Sequence, residues 1–387
     1  MFVLWLPKKD AGSNATAGGG TGLTLFIGTY PSVSIITPVY NGGEGFAECI
    51  AAITKFKPAG WELIVVDDGS TDASMAIAAS TGAQVLQTGG RLGPGGARNL
   101  GARHAKGDYV CFIDADCEVN QFTFGNIEEE IREYPDVEAF FGSYDDSPKA
   151  PNFIAQYKNL FHRYVHQRAA EEASTFWAGC GIVRRSTFLS LGGFDMQRFA
   201  RPSIEDIDLG YRIKQAGGRI RVAKFVQVKH YKAWSLYSLV KTDVFDRGIP
   251  WTRLLLANPS CRVNELNLQT SQRVSALAVL GLIVCIAASF FKPICLLAAA
   301  CLVGLLILLN RDFYQYFYQY RGRNFMLAVI PMHWFYYLYA SGGFALGTAL
   351  HYFDRFIGSK NFVLEPQPQL RSIKDDGRLL VVENDQT

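Results

Sequence analysis

Two apolar blocks, residues 274–309 and 325–350, constrain this chain more than any other feature. Their lengths call for lipid and not for a small soluble core. Ahead of them, residues 31–273 mix charged and apolar side chains, so the chain reads as a soluble domain followed by an α-helical membrane region. Lys292-Pro293 divides the first block into 274–291 and 294–309, each near the minimum of ~17 residues that spans as a helix, and a tight helical hairpin is expected. Residues 325–347 form a third candidate span; its Pro331 and His333 are tolerable if neighbouring helices bury them. Three spans would leave the tail, 351–387, on the face opposite the soluble domain. Arg311, Arg321 and Arg323 favour a cytosolic loop after the hairpin, whereas Arg355, Lys360 and Arg371 pull the tail to the same side, so charge leaves the third span open.

Composition removes some classes. A net charge of +3 gives no nucleic-acid footprint, and the aromatic residues gather near the apolar blocks instead of among basic runs. The eight cysteines are scattered with no Cys-x-x-Cys pair, which argues against a zinc site or a disulfide framework and for a reducing compartment. Residues 1–7 are apolar but short, and Lys8-Lys9 follow them where a signal would carry its charge first, so no cleaved export signal is expected. Residues 1–30 read as a flexible arm, and Asn14-Ala15-Thr16 as a chance glycosylation match within it.

From residue 31 to about 230, strand and helix alternate. Residues 33–37, 63–66, 83–86 and 109–113 are short buried strands, Phe46, Cys49, Ile50 and Ile53 recur at helical spacing, and residues 94–105 form a further helix. Ser70 is placed to cap the helix after the second strand. This alternation predicts an α/β fold with a mainly parallel sheet, whose ligands bind at the carboxyl ends of the strands. Three such ends are acidic or turn-forming: Pro38-Val39-Tyr40-Asn41, Asp67-Asp68-Gly69-Ser70 and Asp114-Ala115-Asp116. Each alone is an ordinary turn; three on one sheet edge suggest a site.

Asp114 and Asp116 would repel one another at that edge, and a divalent cation, magnesium or manganese, would relieve them while taking its other ligands from substrate phosphate. The bland alternative is a solvated acidic turn. Residues 89–101, Gly-rich and running into a helix, allow close backbone approach to a ligand and present Arg98. They lack the Gly-x-Gly-x-x-Gly spacing after the first strand, which disfavours a nicotinamide dehydrogenase. Glu205-Asp206-Ile207-Asp208 opens another helix, where carboxylates compensate the helix dipole by ~0.3–1 kcal/mol or serve as a base.

In order, the Pro-x-Tyr-Asn turn, Asp67-Asp68-Gly69-Ser-Thr-Asp72, Ala97-Arg98-Asn99-x-Gly101, Asp114-Ala-Asp116, Gly-Gly-Phe-Asp195 and Glu205-Asp206 resemble the family 2 inverting glycosyltransferases with a GT-A nucleotide-binding domain. The resemblance covers roughly residues 32–234. It implies that Pro38, Tyr40, Asp67 and Arg98 hold the nucleoside of a nucleotide sugar, a UDP-sugar ahead of a GDP-sugar. It further implies that Asp114 lies near the ribose or the metal, that Asp116 binds the metal, and that Asp206 is the catalytic base with Glu205 second. His230 falls where some members carry a further metal or diphosphate ligand. The Gln-x-x-Arg-Trp motif of processive members is absent; the nearest tryptophan stretch is Ile249-Pro250-Trp251-Thr252-Arg253, so single-step transfer is expected.

Asp206 would then take the proton of an acceptor hydroxyl, on a lipid-linked or glycan acceptor at the cell membrane, with the catalytic domain facing the cytoplasm. A polyprenyl phosphate acceptor is the alternative. Between the two halves, residues 231–273 carry Trp234, Tyr237, Phe245 and Trp251 among Lys232, Lys241, Arg247 and Arg253, the pattern of amphipathic interfacial helices or of a packed lid. A transporter leaves the strand-end acids unexplained, and a non-catalytic sugar-nucleotide binder leaves Asp206 without a role.

Overall fold

A computed structural model describes residues 31–199, 201–261, 270–359 and 362–370. The expectations for the arm 1–30, for Asn14 and for residues 371–387 lie outside these.

In chain order the catalytic-side elements are β1 (Val33–Val39), α1 (Gly43–Phe56), β2 (Glu62–Asp67), α2 (Ser74–Ser80), β3 (Gln84–Gln87), α3 (Gly93–His104), β4 (Tyr109–Ile113) and β5 (Cys117–Val119). They continue with α4 (Thr123–Glu133), β6 (Ala139–Tyr144), α5 (Phe153–Arg168), β7 (Glu172–Ala173), β8 (Cys180–Arg184), α6 (Arg185–Ser190), α7 (Glu205–Gln215) and β9 (Ile220–His230). The sheet runs β3-β2-β1-β4-β8-β6-β9-β5, with β7 pairing β9. Its first half, β3-β2-β1-β4, is parallel as the alternation predicts. Past β4 it is mixed: β8 runs antiparallel to both β4 and β6, while β6 and β9 pair in parallel. β1 is buried at every position because helices cover both faces, and two apolar clusters fill the layers above and below it.

Two close approaches aim side chains at the strand ends. A Cβ on Gly101 would lie 2.6 Å from Ile36 Cγ2, so glycine lets α3 sit against β1 and carry Arg98 to the sheet edge. A Cβ on Gly210 would lie 2.5 Å from the Phe176 backbone, and its absence brings α7 down beside the loop before β8. Ser70 does not cap α2. Its hydroxyl accepts the Asn41 N–H at 2.9 Å and ties the turn after β2 to the turn after β1, while α2 begins four residues later.

Beyond the sheet come α8 (Leu236–Lys241), a π-helix (Thr242–Gly248), α9 (Ile249–Ala257), α10 (Thr270–Ser289), α11 (Cys295–Leu309) and α12 (Arg311–Phe356). α10 and α11 form the expected hairpin. Among the described residues α10 alone is long and apolar enough to cross a membrane, and the α11–α12 pair, bent by 64°, would make a second crossing if counted as one span. The third expected span is the middle of α12. This helix is broken at Gly322 (φ 77°, ψ 178°), where the chain doubles back. Phe313 and His333, which a continuous helix would hold about 30 Å apart, meet with ring centroids 4.1 Å apart. Segment 231–257 has a buried side and an outward side. Trp234, Leu239 and Leu254 are buried against the rest of the chain, whereas Leu236, Tyr237 and Phe245 face outward.

Candidate active site

A cleft of about 760 Å³ lies over the carboxyl ends of β1 and β4 and is closed on one side by the π-helix. Most of the residues singled out in the sequence line it: Pro38, Tyr40, Arg98, Asp114, Asp116, Glu205, Asp206 and His230. Asp67 does not. It is buried, and its carboxylate accepts the Ser70 N–H at 3.2 Å, shaping the turn. Asp68, which the sequence did not separate from it, accepts the Leu92 and Gly93 N–H groups at 2.8 Å each and so holds the start of α3.

Arg98 is buried between two acids. It donates to Asp114 and lies 3.8 Å from Glu205 Oε1, so Asp114 is engaged by a guanidinium in this arrangement. Asn99 beside it holds the Gly-Gly-Phe-Asp loop, donating to the Phe194 carbonyl at 2.8 Å and accepting the Phe194 N–H at 2.9 Å.

The acids that open α7 divide into three roles. Glu205 accepts the Ser203 N–H at 2.8 Å and faces Arg98. Asp208 turns inward, fully buried, and takes Arg198 at 2.6 Å and Arg212 at 2.7 Å. Asp206 faces the cleft, with its oxygens accepting the Ala178 N–H at 3.2 Å and the Ile207 N–H at 2.8 Å. Burial pushes the Asp206 carboxyl above its ordinary value, and the Ala178 N–H, Arg247 and Arg98 offset this only in part. Glu205 is raised as well, first by burial and then by Asp206 beside it, with Arg98 opposing.

Across the cleft, the antiparallel pairing of β5 with β9 sets Cys117 opposite His230 and brings His230 Nε2 to 3.5 Å from Asp116 Oδ2. The imidazole stacks on Tyr144, centroids 4.2 Å apart and planes within 16°. Partial loss of water in the cleft would by itself raise the Asp116 carboxyl, but His230 and Lys232 draw it net below its usual value. A carboxylate and an imidazole at this spacing suit a magnesium or manganese ion that takes its remaining ligands from phosphate and water. No three His, Cys, Asp or Glu side chains converge into a complete metal site among the described residues.

Two cations of the segment that the sequence reads as interfacial helices or a packed lid, Lys232 and Arg247, line the cleft. Burial pulls the Lys232 ammonium below its ordinary value against the opposing pull of Asp116. Arg247 lies in the π-helix, a rare geometry often found at functional sites. A basic residue just past His230, and another followed by Gly-Ile-Pro, were the available signals.

A half-parallel sheet with acids at its strand ends, an Arg-bearing helix against them and a carboxylate at the start of a facing helix form a GT-A-like domain. Residues 34–192 match the model of glycosyl transferase family 2. It is 32% identical over 162 residues to glycosyltransferase GlyG of Streptococcus pneumoniae, covering 41% of this chain and 54% of that one. It is 27% identical over 231 residues to the pre-mycofactocin glycosyltransferase of Mycobacterium tuberculosis, 57% of this chain and 47% of that one. The chain thus spans about half the length of these curated relatives. In fold it resembles the mannosyltransferase PcManGT of Pyrobaculum calidifontis, solved with GDP-Man and Mn2+, at TM-score 0.51 and 18% identity over 82% of this chain and 88% of that one.

Proposed function

We propose that the chain is a membrane-anchored, inverting glycosyltransferase that moves one sugar per encounter from a nucleotide diphosphate, a UDP-sugar ahead of a GDP-sugar, to a hydroxyl of a lipid-linked or glycan acceptor. The observation that carries this is the facing pair of sites in one cleft, Asp116 with His230 on one wall and Asp206 on the other. Pro38 and Tyr40 border the nucleoside end, and Asp67 serves it by holding the turn. Asp116 and His230 would hold a divalent cation, with Asp114 joining it if Arg98 releases that carboxylate. Such an ion would neutralise charge developing on the leaving diphosphate.

The residues of the chain do the rest. Asp206 accepts the acceptor's hydroxyl proton as its oxygen bonds to the anomeric carbon, and the bond from that carbon to the diphosphate breaks with its electron pair leaving on the nucleotide. Lys232 and Arg247 offer cationic groups for the departing phosphates. Attack opposite the leaving group inverts the anomeric carbon. Glu205 steadies Arg98 and is the second choice of base.

Membrane attachment rests on the apolar α10–α11 hairpin, whose Phe290 and Phe291 are 86% and 88% exposed. A cytoplasm-facing catalytic domain fits the eight free cysteines. The proposed division is a catalytic unit 31–230, a connecting segment 231–273, a membrane region 274–350 and a tail 351–387.

The two cations in the cleft also favour a second reading, transfer to a polyprenyl phosphate, whose anionic oxygen needs no base. Purified protein in detergent, screened with nucleotide sugars against hydroxyl and polyprenyl phosphate acceptors, tests both. Donor binding with hydroxyl transfer that Asp206→Asn abolishes supports the first. Undiminished transfer by Asp206→Asn to a lipid phosphate selects the second, and no turnover with any pair removes the proposal.

A further inference from the structure

The long helix α12 packs on α5 of the catalytic domain before its break and on the π-helix and α9, which follow the sheet, after it. Before the break at Gly322, Tyr316 and Tyr320 receive Arg163 of α5 at 2.7 and 3.0 Å, and Arg321 donates to Gln156 at 2.8 Å. After the break, Tyr339 lies 2.9 Å from Asp243 of the π-helix, a Cβ on Gly347 would lie 2.8 Å from Thr252 of α9, and Arg253 binds Asp354. The chain then returns to the catalytic domain. Leu364 N–H donates to Asn258 at 2.9 Å, and Leu370 N–H to the carbonyl of Ala216, which closes α7, at 2.7 Å.

The base of the α10–α11 hairpin is fixed at the same level. The Tyr337 hydroxyl lies 2.9 Å from Gln272 Oε1 and 2.8 Å from Asn310 Oδ1, and Asn310 donates to Ser275 at 3.1 Å. From that base the hairpin projects to the exposed tip at Phe290 and Phe291. The other face of α12 exposes Leu327, Phe335, Leu338, Phe344, Tyr352 and Phe353.

We infer that the hairpin alone enters the bilayer and that α12 lies along the membrane surface, its outward apolar face against lipid, so that residues 362–370 stay on the catalytic domain's side. This rests on the membrane anchoring proposed above and replaces a third span with an in-plane helix. Two observations commit that face to lipid and not to a protein partner. The exposed apolar hairpin is tied at its base to this same helix by the buried Tyr337, and the face of α12 opposite is held by the Arg253–Asp354 ion pair, which hydrocarbon would penalise if α12 crossed it. The exposed Leu236, Tyr237 and Phe245 on α8 and the π-helix add aromatic and apolar groups suited to the same interface.

The test is site-directed labelling of the full chain in sealed membrane vesicles of known orientation, in a Cys285→Ser, Cys295→Ser, Cys301→Ser background. Glu129→Cys reports the catalytic domain, while Gln319→Cys and Glu365→Cys flank the second half of α12; all three positions are exposed. A membrane-impermeant maleimide is expected to label all three from the same face. Labelling of Glu365→Cys from the opposite face to Gln319→Cys would show that α12 crosses and overturn the inference, leaving the anchoring intact. Chain released by an alkaline carbonate wash would overturn both.

Discussion

Asp206 shows how burial sets a working pH. Its carboxyl is raised by burial, so the fold favours the protonated form over what the unfolded chain would choose. The sign follows by linkage. This group's contribution to stability is present below the unfolded value near ~3.9 and is lost as pH rises through the folded value. The melting temperature of the native chain minus that of Asp206→Asn should therefore be larger at low pH than at neutral pH, and a difference flat with pH would contradict the assignment. For transfer the ionised form is the active one, so the acid limb of kcat/KM lies above the range of an ordinary aspartate, and Asp206→Asn lowers hydroxyl transfer by about 10²–10⁴-fold while donor binding persists. Asp116 is different. Its side chain is 43% exposed and contributes little to the core, so Asp116→Ala should melt like the native chain yet lose metal-dependent donor binding. Calorimetric titration of donor with and without manganese checks this; binding that ignores both the variant and a chelator would take Asp116 out of the metal role.

Among the elements, the π-helix joins site and scaffold. Asp243 on it accepts Lys158 of α5 at 2.6 Å and lies against Tyr339, both partners of the pair being mostly buried, while Arg247 on the same element lines the cleft. Burial draws the Lys158 ammonium below its usual value although Asp243 supports it, so an unpaired Lys158 would be a buried charge. Asp243→Asn should cost about 3–5 kcal/mol, and Asp243→Asn with Lys158→Met much less. Denaturant titration of the single and double variants gives the coupling, and additive losses would show that the pair is not a unit. Strand ends were legible because short β-branched runs stop at Asp, Asn or Pro, and these turns converge on one edge. The partition of Glu205, Asp206 and Asp208 was not, since three acids in one helical turn look alike until Arg98 and Arg198 arrive from other segments and Arg212 closes on Asp208 from the next turn of α7. Nor were Lys232 and Arg247 legible as cleft residues: Lys232 lies in the irregular stretch after β9, and the π-helix that carries Arg247 has no simple apolar period. The mixed half of the sheet depends on pairings between β4, β6, β8 and β9 that local pattern does not encode. The break in α12 turns on one glycine, Gly322, flanked by two arginines in an otherwise helical run.

At the scale of the whole molecule, the hairpin is separable from the catalytic framework in a way that α12 is not. Asn310 at the end of α11 donates to Ser275 near the start of α10, so the two ends of the hairpin already lie together and a short Gly-Ser linker could replace residues 276–309. What would go is the apolar packing of Ala278, Val279, Leu282, Ala299 and Leu306, with Tyr337 as its neighbour on the retained side. What would stay is the aromatic cluster joining α5 to α12 through Tyr157, Phe161, Phe313 and Phe317, together with the Asp243 and Asp354 ties that support the π-helix and α9. The excised chain is therefore expected to leave the membrane fraction on gentle washing while keeping metal-dependent donor binding within a few-fold. A chain cut after Cys261 loses α12 and its ties as well, and should lose donor turnover even on a water-soluble acceptor. Fractionation and donor titration of the two forms side by side decide the matter: loss of donor binding on hairpin excision would mean that the hairpin supports the site, and full turnover after the cut at Cys261 would mean that α12 does not.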